Sequence, residues 1–434
     1  MKLTYSKSHV SEEEINAVGK QLSPYAEHLK EVLQHGYEDE ESSINLPGDK
    51  ELMESVGAAL RDKNTTSLKY ILVIGIGGSN LGTKAVYDAL YGRFDILEPS
   101  RMPKMIFLDT TDPGILLHLE SFFDKEITSE EEIVINVISK SGDTTETIVN
   151  AELVLGMLQK KFPGILDRLV VTTDFGSLLW KIAEAEDITR LSIPEKVGGR
   201  YSVLSAVGLF PLAKVGINVT ALLDGARKMR EKCLSLDIRE NPAMVSAAVL
   251  FTNYHSGKTI NDNFIFHSEL ESLGKWYRQL LGESIGKEHD RDGNVVRVGI
   301  TPTVSIGSTD LHSVGQLYLG GPEDKITTFI FAEFSKRGTV VTPEVFAGVL
   351  GGISGKKPAD VADAILKGVK IAYEKKGLPF MEALLPDITP ASLGAFMQFK
   401  MMEMMYLGQL FNVNPFDQPN VELYKIETKN ILNG

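Results

Sequence analysis

From Tyr70 onward, short apolar runs alternate with longer segments of helical period. The runs at 70–74 (Y-I-L-V-I), 105–109 (M-I-F-L-D), 133–138 (I-V-I-N-V-I) and 169–173 (L-V-V-T-T) are too short for helices. They are also too uniformly apolar for strands with one wet face, so they predict strands buried on both sides of a parallel sheet. The segments between them are long enough for crossover helices, the signature of βαβ units. Residues 188–200 interrupt this rhythm and read as a crossing segment, followed by helical stretches to about 256. A second alternation follows, with strands near 260–266, 301–306 and 326–332. Residues 1–45 read as helical and polar, with a solvated acidic run at Glu38–Glu41. Pro379, Pro386 and Pro390 punctuate a loop before a Met-rich helix around 391–411. The expected fold is α/β: an amino-terminal helical segment (1–45), two tandem units of parallel sheet flanked by helices (46–195 and 196–385), and a carboxy-terminal helical segment (386–434).

Composition changes this picture little but excludes several classes. The formal net charge of −13 argues against nucleic acid as the main partner, because phosphate backbones are bound by an excess of Lys and Arg. The one cysteine, Cys233, rules out a disulfide framework and fits a reducing compartment. No apolar run approaches the roughly 18 residues of a membrane span. The first residues have no apolar core of a signal peptide, so a cytoplasmic protein is expected. The eight histidines show no H-E-x-x-H or other metal spacing, and no metal site is expected.

The candidate chemistry sits in two turns. Residues 133–147 pass from strand into S-K-S-G-D-T-T-E-T, with hydroxyls on Ser139, Ser141, Thr144, Thr145 and Thr147. Asp143 and Glu146 have the spacing of a helix N-cap and its acidic partner, and Ile148, Ala151, Leu155 and Leu158 continue with helical period. Free amides, the positive end of a helix and several O–H donors suit an anion with several acceptor oxygens, such as a phosphate monoester. Residues 70–83 (Y-I-L-V-I-G-I-G-G-S-N-L-G-T) repeat the strand, turn and helix plan. Gly75, Gly77 and Gly78 permit close backbone approach there, and Ser79 is placed to cap the next helix. A dinucleotide fingerprint fails because Asn80 stands at the third glycine, and a Walker loop fails because no Lys follows. Ser256-Gly257-Lys258-Thr259 lacks the earlier P-loop glycine, and Thr252 stands in its place.

Four further residues carry reactive potential. Leu273, Trp276, Leu280 and Glu283 share one helix face, and a carboxylate on an apolar stripe needs a partner or a task. An ion pair with Lys287 and a role as general base both remain open. His312 follows a strand in the turn G-S-T-D-L-H-S, on the side where open α/β sheets bind ligands. Arg200 lies in the glycine-rich G-G-R-Y-S between the two units, where it can be either a surface residue or a stabiliser of a developing oxyanion. Lys425 lies on a tail helix that begins near Asp417 and Pro419.

Six segments in order, 75–82, 139–147, 198–205, 282–287, 310–317 and 414–425, together resemble the phosphoglucose isomerase family in its shorter bacterial form. The resemblance implies two sugar-isomerase (SIS) domains and interconversion of glucose 6-phosphate and fructose 6-phosphate without metal or organic cofactor. It implies that Gly78, Ser79, Ser139, the backbone of Lys140, Ser141 and Thr144 bind the phosphate and that Gln418 contacts substrate. His312, helped by Lys425, would open the sugar ring, Glu283 would move a proton between C2 and C1 through a cis-enediol, and Arg200 would stabilise the enediolate. It further implies a homodimer or pair of dimers in which His312 is lent by the neighbouring subunit. Two alternatives share these motifs: an isomerase that also takes mannose 6-phosphate, and a non-catalytic SIS-type sensor. Four positions depart from the family pattern: Ile285 beside the base, Tyr424 before Lys425, and Gly142 and Asp143 in the second turn. A carboxylate at 143 would repel a dianion, so Asp143 is expected to turn away and cap the helix.

Overall fold

The structure is a computed structural model that describes residues 1–433 apart from 343, 344, 347 and 350. The chain opens with a short strand β1 (Lys2–Thr4) and helices α1 (Glu12–Val32) and α2 (Lys50–Asp62). A first βα series follows: β2 (Tyr70–Ile74), α3 (Leu81–Leu90), β3 (Lys104–Leu108), α4 (Pro113–Glu126), β4 (Ile133–Ile138), α5 (Thr145–Gln159), β5 (Leu169–Asp174), α6 (Leu178–Ala185) and β6 (Thr189–Ile193). Helices α7 (Ala206–Lys214), α8 (Val219–Cys233) and α9 (Pro242–His255) lead to β7 (Ile260–Ile265) and α10 (Glu271–Ile285). A hairpin, β8 (Lys287–His289) and β9 (Val295–Val298), precedes β10 (Thr301–Ile306), α11 (Gly315–Gly320), β11 (Lys325–Ala332), α12 (Pro358–Lys376) and β12 (Phe380–Leu385). Helices α13 (Pro390–Phe411) and α14 (Glu422–Asn433) close the chain.

Several helix starts are written into the sequence. Ser11 and Glu14 form a reciprocal capping box on α1. Asp112-Pro113, Asn241-Pro242 and Thr389-Pro390 each place a capping oxygen before a proline at the first helical position. The other end of α13 is closed by Asn412 in the left-handed conformation at φ 54°.

Both sheets wind the same way. The first has the order β3-β2-β4-β5-β6, all parallel. The second has β10-β7-β11-β12, again parallel, with β1 added antiparallel to β12. In each sheet the first strand of the series lies inside, the second lies to one side of it, and the third and fourth lie to the other. Outer helices α4, α5 and α6 cover one face of the first sheet, and α11 and α12 cover one face of the second. The facing sides of the two sheets share one large core with α1, α7, α8, α9, α10 and α13.

Three expectations need correction. The segment 188–200 is not all crossover, because Thr189–Ile193 forms the edge strand β6, with Leu191 and Ile193 buried and Ser192 exposed. Residues 1–45 are neither purely helical nor simply polar. They contain β1, and α1 buries Ile15, Leu22, Tyr25, Ala26, Leu29 and Val32. The loop expected across Pro379, Pro386 and Pro390 contains strand β12, with Phe380, Met381, Ala383 and Leu385 buried, and the Met-rich helix α13 that follows is buried on every side at the centre of the molecule. Gly225 of α8 and Gly394 of α13 make that burial possible, because a Cβ at either position would strike the other helix's backbone.

The centre also holds a buried ion pair. Lys400 Nζ lies 2.8 Å from Glu403 Oε2, with both side chains wholly buried. Glu403 also accepts from Tyr277 Oη on α10 at 2.7 Å and from Ser246 on α9. Lys400 sits over the rings of Tyr277 and Phe399 at 4.5 and 4.7 Å. Burial lowers the ammonium's pKa, and Glu403 opposes that shift. Replacing Glu403 by Gln should therefore cost about 3–5 kcal/mol, because it strands a buried cation. Adding Lys400→Met should recover part of the loss, as the amide still accepts from Tyr277. Urea unfolding of the two variants checks this; a double variant no more stable than the single one contradicts it.

Candidate active site

The carboxyl ends of β2 and β4 are neighbours, with Ile74 paired to Val137. In the first sheet the chain leaves β2 toward β3 on one side and later returns to β4 on the other. The crevice between these strand ends is the switch point where open α/β sheets bind ligands. Both glycine- and hydroxyl-rich turns begin there. A Cβ on Gly75 would lie 2.9 Å from the carbonyl oxygen of Ile138, so the two turns meet backbone to backbone at their roots. Gly77 has φ +59°, which glycine adopts without strain. Gly78 packs on the Gly199–Arg200 peptide so closely that any side chain would collide with it. The first turn thereby docks onto the segment carrying Arg200.

In the second turn, Ser139 Oγ lies 2.9 Å from Thr144 Oγ1 and accepts from the Gly142 amide at 3.1 Å. Thr144 is the N-cap residue of α5 and makes no side-chain capping bond, which leaves the helix's first amides available. The Lys140 ammonium turns away to Asp174 (2.8 Å) and the Glu195 carbonyl (2.8 Å), leaving its backbone at the turn. Two expected caps are corrected here. Ser79 belongs to a short 3₁₀ turn (Gly77–Ser79), and Asn80 takes the N-cap position of α3. Asp143 does not cap α5. It accepts from Ser141 Oγ at 2.6 Å and from Lys429 Nζ of α14 at 2.9 Å. These two donors hold its carboxyl below the usual carboxylate range.

Glu283 ends the apolar stripe of α10. Leu273, Trp276 and Leu280 are fully buried, and Glu283 emerges where the helix leaves the core, its side chain 29% exposed. Its Oε2 is 3.5 Å from Arg200 Nη1, and its Oε1 accepts from Gln279 Nε2 at 3.2 Å. The alternative pairing with Lys287 does not form. That ammonium binds the Asp417 carboxylate at 2.8 Å and the Glu283 main-chain carbonyl at 2.9 Å. Arg200 is the hub. Its side chain, 2% exposed, donates from Nε to Ser284 Oγ (2.9 Å), from Nη1 to Gln418 Oε1 (3.0 Å), and from Nη2 to the carbonyls of Asp417 (3.0 Å) and Pro415. Its plane and charge are thus fixed by contacts reaching from α10 and the Pro415–Gln418 segment, with one edge turned toward Glu283.

Gln279 escaped the sequence reading. It stands one helical turn before Glu283, a Cβ on Gly77 would come within 2.9 Å of its Nε2, and its buried Oε1 has no protein partner among the described residues. It therefore joins the first turn to the carboxylate. The i, i+4 spacing from Glu283 was the signal that could have revealed it.

Two candidates stand apart. Lys425 lies on α14 paired with Glu422 at 2.6 Å, and Lys429, one turn further on, ties that helix to the second turn. His312 ends an exposed 3₁₀ turn after β10, the edge strand of the second sheet. Among the described residues, no hydrogen bond links His312 to Glu283, Arg200 or either turn. The structure thus brings together Gly78, Ser79, Ser139, the backbone of Lys140, Ser141, Thr144, Arg200, Glu283 and Gln418, ties the helix of Lys425 to the second turn through Lys429, and among the described residues joins His312 to none of them by a hydrogen bond.

A sequence model described as phosphoglucose isomerase matches residues 45–434. The chain is 34% identical over 431 residues to a glucose-6-phosphate isomerase of Rubrobacter xylanophilus, covering 98% of this chain and 96% of the relative. A solved hypothetical protein of Thermus thermophilus superposes over 100% of both chains with TM-score 0.86 and 30% identity. A glucose-6-phosphate isomerase structure from Chlamydia trachomatis shares the fold, with TM-score 0.84 and 21% identity over 99% of this chain and 88% of that one.

Proposed function

Because this chain belongs to the phosphoglucose isomerase family, it interconverts glucose 6-phosphate and fructose 6-phosphate, and we propose the following division of labour among its residues. The sugar's phosphate sits at the switch point of the first SIS-type sheet. The hydroxyls of Ser79, Ser139, Ser141 and Thr144, the amides around Gly78 and Lys140, and the start of α5 hold it there. Anchoring the dianion away from the reacting carbons turns its binding energy into positioning of C1 and C2. Glu283 removes the proton from C2 of the open-chain aldose and returns it to C1. Arg200 carries the charge that develops on the enediolate oxygen. Gln279 steadies the Glu283 carboxylate, and Gln418 holds the substrate beside Arg200. No step of this scheme needs a metal or an organic cofactor. The observation that carries it is the fixed cluster of Arg200, Glu283 and Gln279 built directly onto the glycine turn.

Ring opening needs a proton donor and acceptor at the ring oxygen and its neighbour, and we assign these to His312 with help from Lys425. Since no hydrogen bond joins His312 to its own chain's cluster among the described residues, we propose a homodimer in which each chain lends His312 to the other's site. We place the protein in the cytoplasm, where phosphorylated sugars are retained. Among the described residues, no helix is long and apolar enough to cross a membrane.

The decisive test is complementation. A coupled assay, with fructose 6-phosphate supplied and glucose 6-phosphate detected through a NADP-linked dehydrogenase, should show full activity for the parent chain. His312→Ala and Glu283→Gln should each be nearly inactive. Co-refolding the two should restore about a quarter of parental activity, because random pairing makes half of the twofold dimers hybrids with one intact site each. No recovery on mixing would show that His312 is not shared between subunits.

A further inference from the structure

The second turn contains a group of the wrong sign for its ligand. Asp143 lies between Ser141 and Thr144, and its Oδ1 takes the Ser141 hydroxyl at 2.6 Å. A serine hydroxyl has one proton to donate. Ser141 therefore cannot serve Asp143 and an incoming phosphate together; one bond must break for the other to form. The other carboxylate oxygen is held by Lys429 at 2.9 Å, from a helix 286 positions further along the chain. Lys425, on the same helix, adds to the positive field at this carboxylate.

We propose that Asp143 is an internal competitor of the substrate phosphate and that Lys429 is the counter-charge that makes this competition reversible. The inference rests on the reading of residues 139–144 as the phosphate site. The carboxylate occupies Ser141 as a phosphate oxygen would, and through Lys429 it holds α14, with Lys425, against the turn. When phosphate enters, the Ser141 hydroxyl turns its hydrogen bond from Asp143 to a phosphate oxygen, with no covalent change. Lys429 stays on the carboxylate, so that a dianion and a bare anion do not face each other across the turn. Asp143 thus sets phosphate affinity without touching the reacting carbons, and Lys429 sets how strongly Asp143 opposes the ligand.

The test uses the full-length chain and two probes: inorganic phosphate by calorimetry, and fructose 6-phosphate by steady-state kinetics. Asp143→Asn keeps the shape and the acceptor for Ser141 but removes the charge. It should tighten phosphate binding and lower KM by about three- to tenfold, the range for unit charges a few ångströms apart under water-like screening, with kcat unchanged. Lys429→Met should weaken phosphate binding several-fold. In a chain already carrying Asp143→Asn, the same lysine change should have little effect. A merely structural role for the pair would not give this reversal, because losing either partner would then harm binding alike. Unchanged or weaker phosphate affinity in Asp143→Asn overturns the inference, and so does an equal effect of Lys429→Met in both backgrounds. Either result in an active isomerase leaves the functional assignment intact. The expected phosphate shifts in a parent chain without isomerase activity would overturn that assignment and leave this inference standing.

Discussion

Glu283→Gln is expected to lower isomerase turnover by about 10²–10⁴, the usual contribution of a positioned general base, while the protein stays folded. The replacement keeps size and shape and removes only the ability to take a proton. The partly exposed side chain is held by Gln279 and a long contact to Arg200, so the amide can keep one contact without opening the core. Two readouts separate chemistry from folding. The coupled assay gives turnover, and incorporation of deuterium from solvent at C2 of glucose 6-phosphate reports proton removal directly. Both should fall together while the urea midpoint stays near that of the parent. Parental turnover in Glu283→Gln would remove this residue from the role of base.

The second large effect is expected at Arg200. Arg200→Lys preserves the charge but not the planar fork that reaches Ser284, Gln418 and two carbonyls at once. An ammonium at this depth can satisfy only part of that set, and the remaining buried acceptors are left without donors. Loss of one preorganised donor to a developing oxyanion typically costs about 10²–10³ in kcat, and a fall of that order is predicted here. KM for fructose 6-phosphate should change far less, because the phosphate grip proposed above lies in the two turns and not at Arg200. Measurement at a temperature well below the variant's unfolding transition isolates the kinetic effect. A folded Arg200→Lys enzyme with kcat within about threefold of the parent would show that charge alone suffices and that the fork geometry does not matter.

The two predictions differ in how far the sequence could carry them. Glu283 was visible because a carboxylate interrupts an apolar helix face, a signal confined to one helix. Arg200 was visible only as an arginine on a glycine turn, equally suited to the surface; its burial comes from segments 83 to 218 positions away. Lys287 illustrates the opposite error. Its i+4 spacing from Glu283 invites a local ion pair, yet Asp417 captures its ammonium across 130 positions. Edge strand β6 was missed for a related reason, because T-R-L-S-I alternates polar and apolar residues instead of forming a uniform run.

The sequence by itself determined strands β2 to β5, β7, β10 and β11, the glycines and hydroxyls of both turns and the chemical types at the site. These depend on backbone preference and burial over a few neighbouring residues, which spacing records directly. Only the tertiary structure decided that Gly78 rests on the Arg200 peptide, that Gln279 joins turn to base, that α13 is the central helix, and that Asp143 answers to Lys429 instead of capping α5. Contacts between distant segments depend on how whole helices pack against two sheets, and no local pattern encodes which of several equivalent lysines or carboxylates that packing will bring within reach.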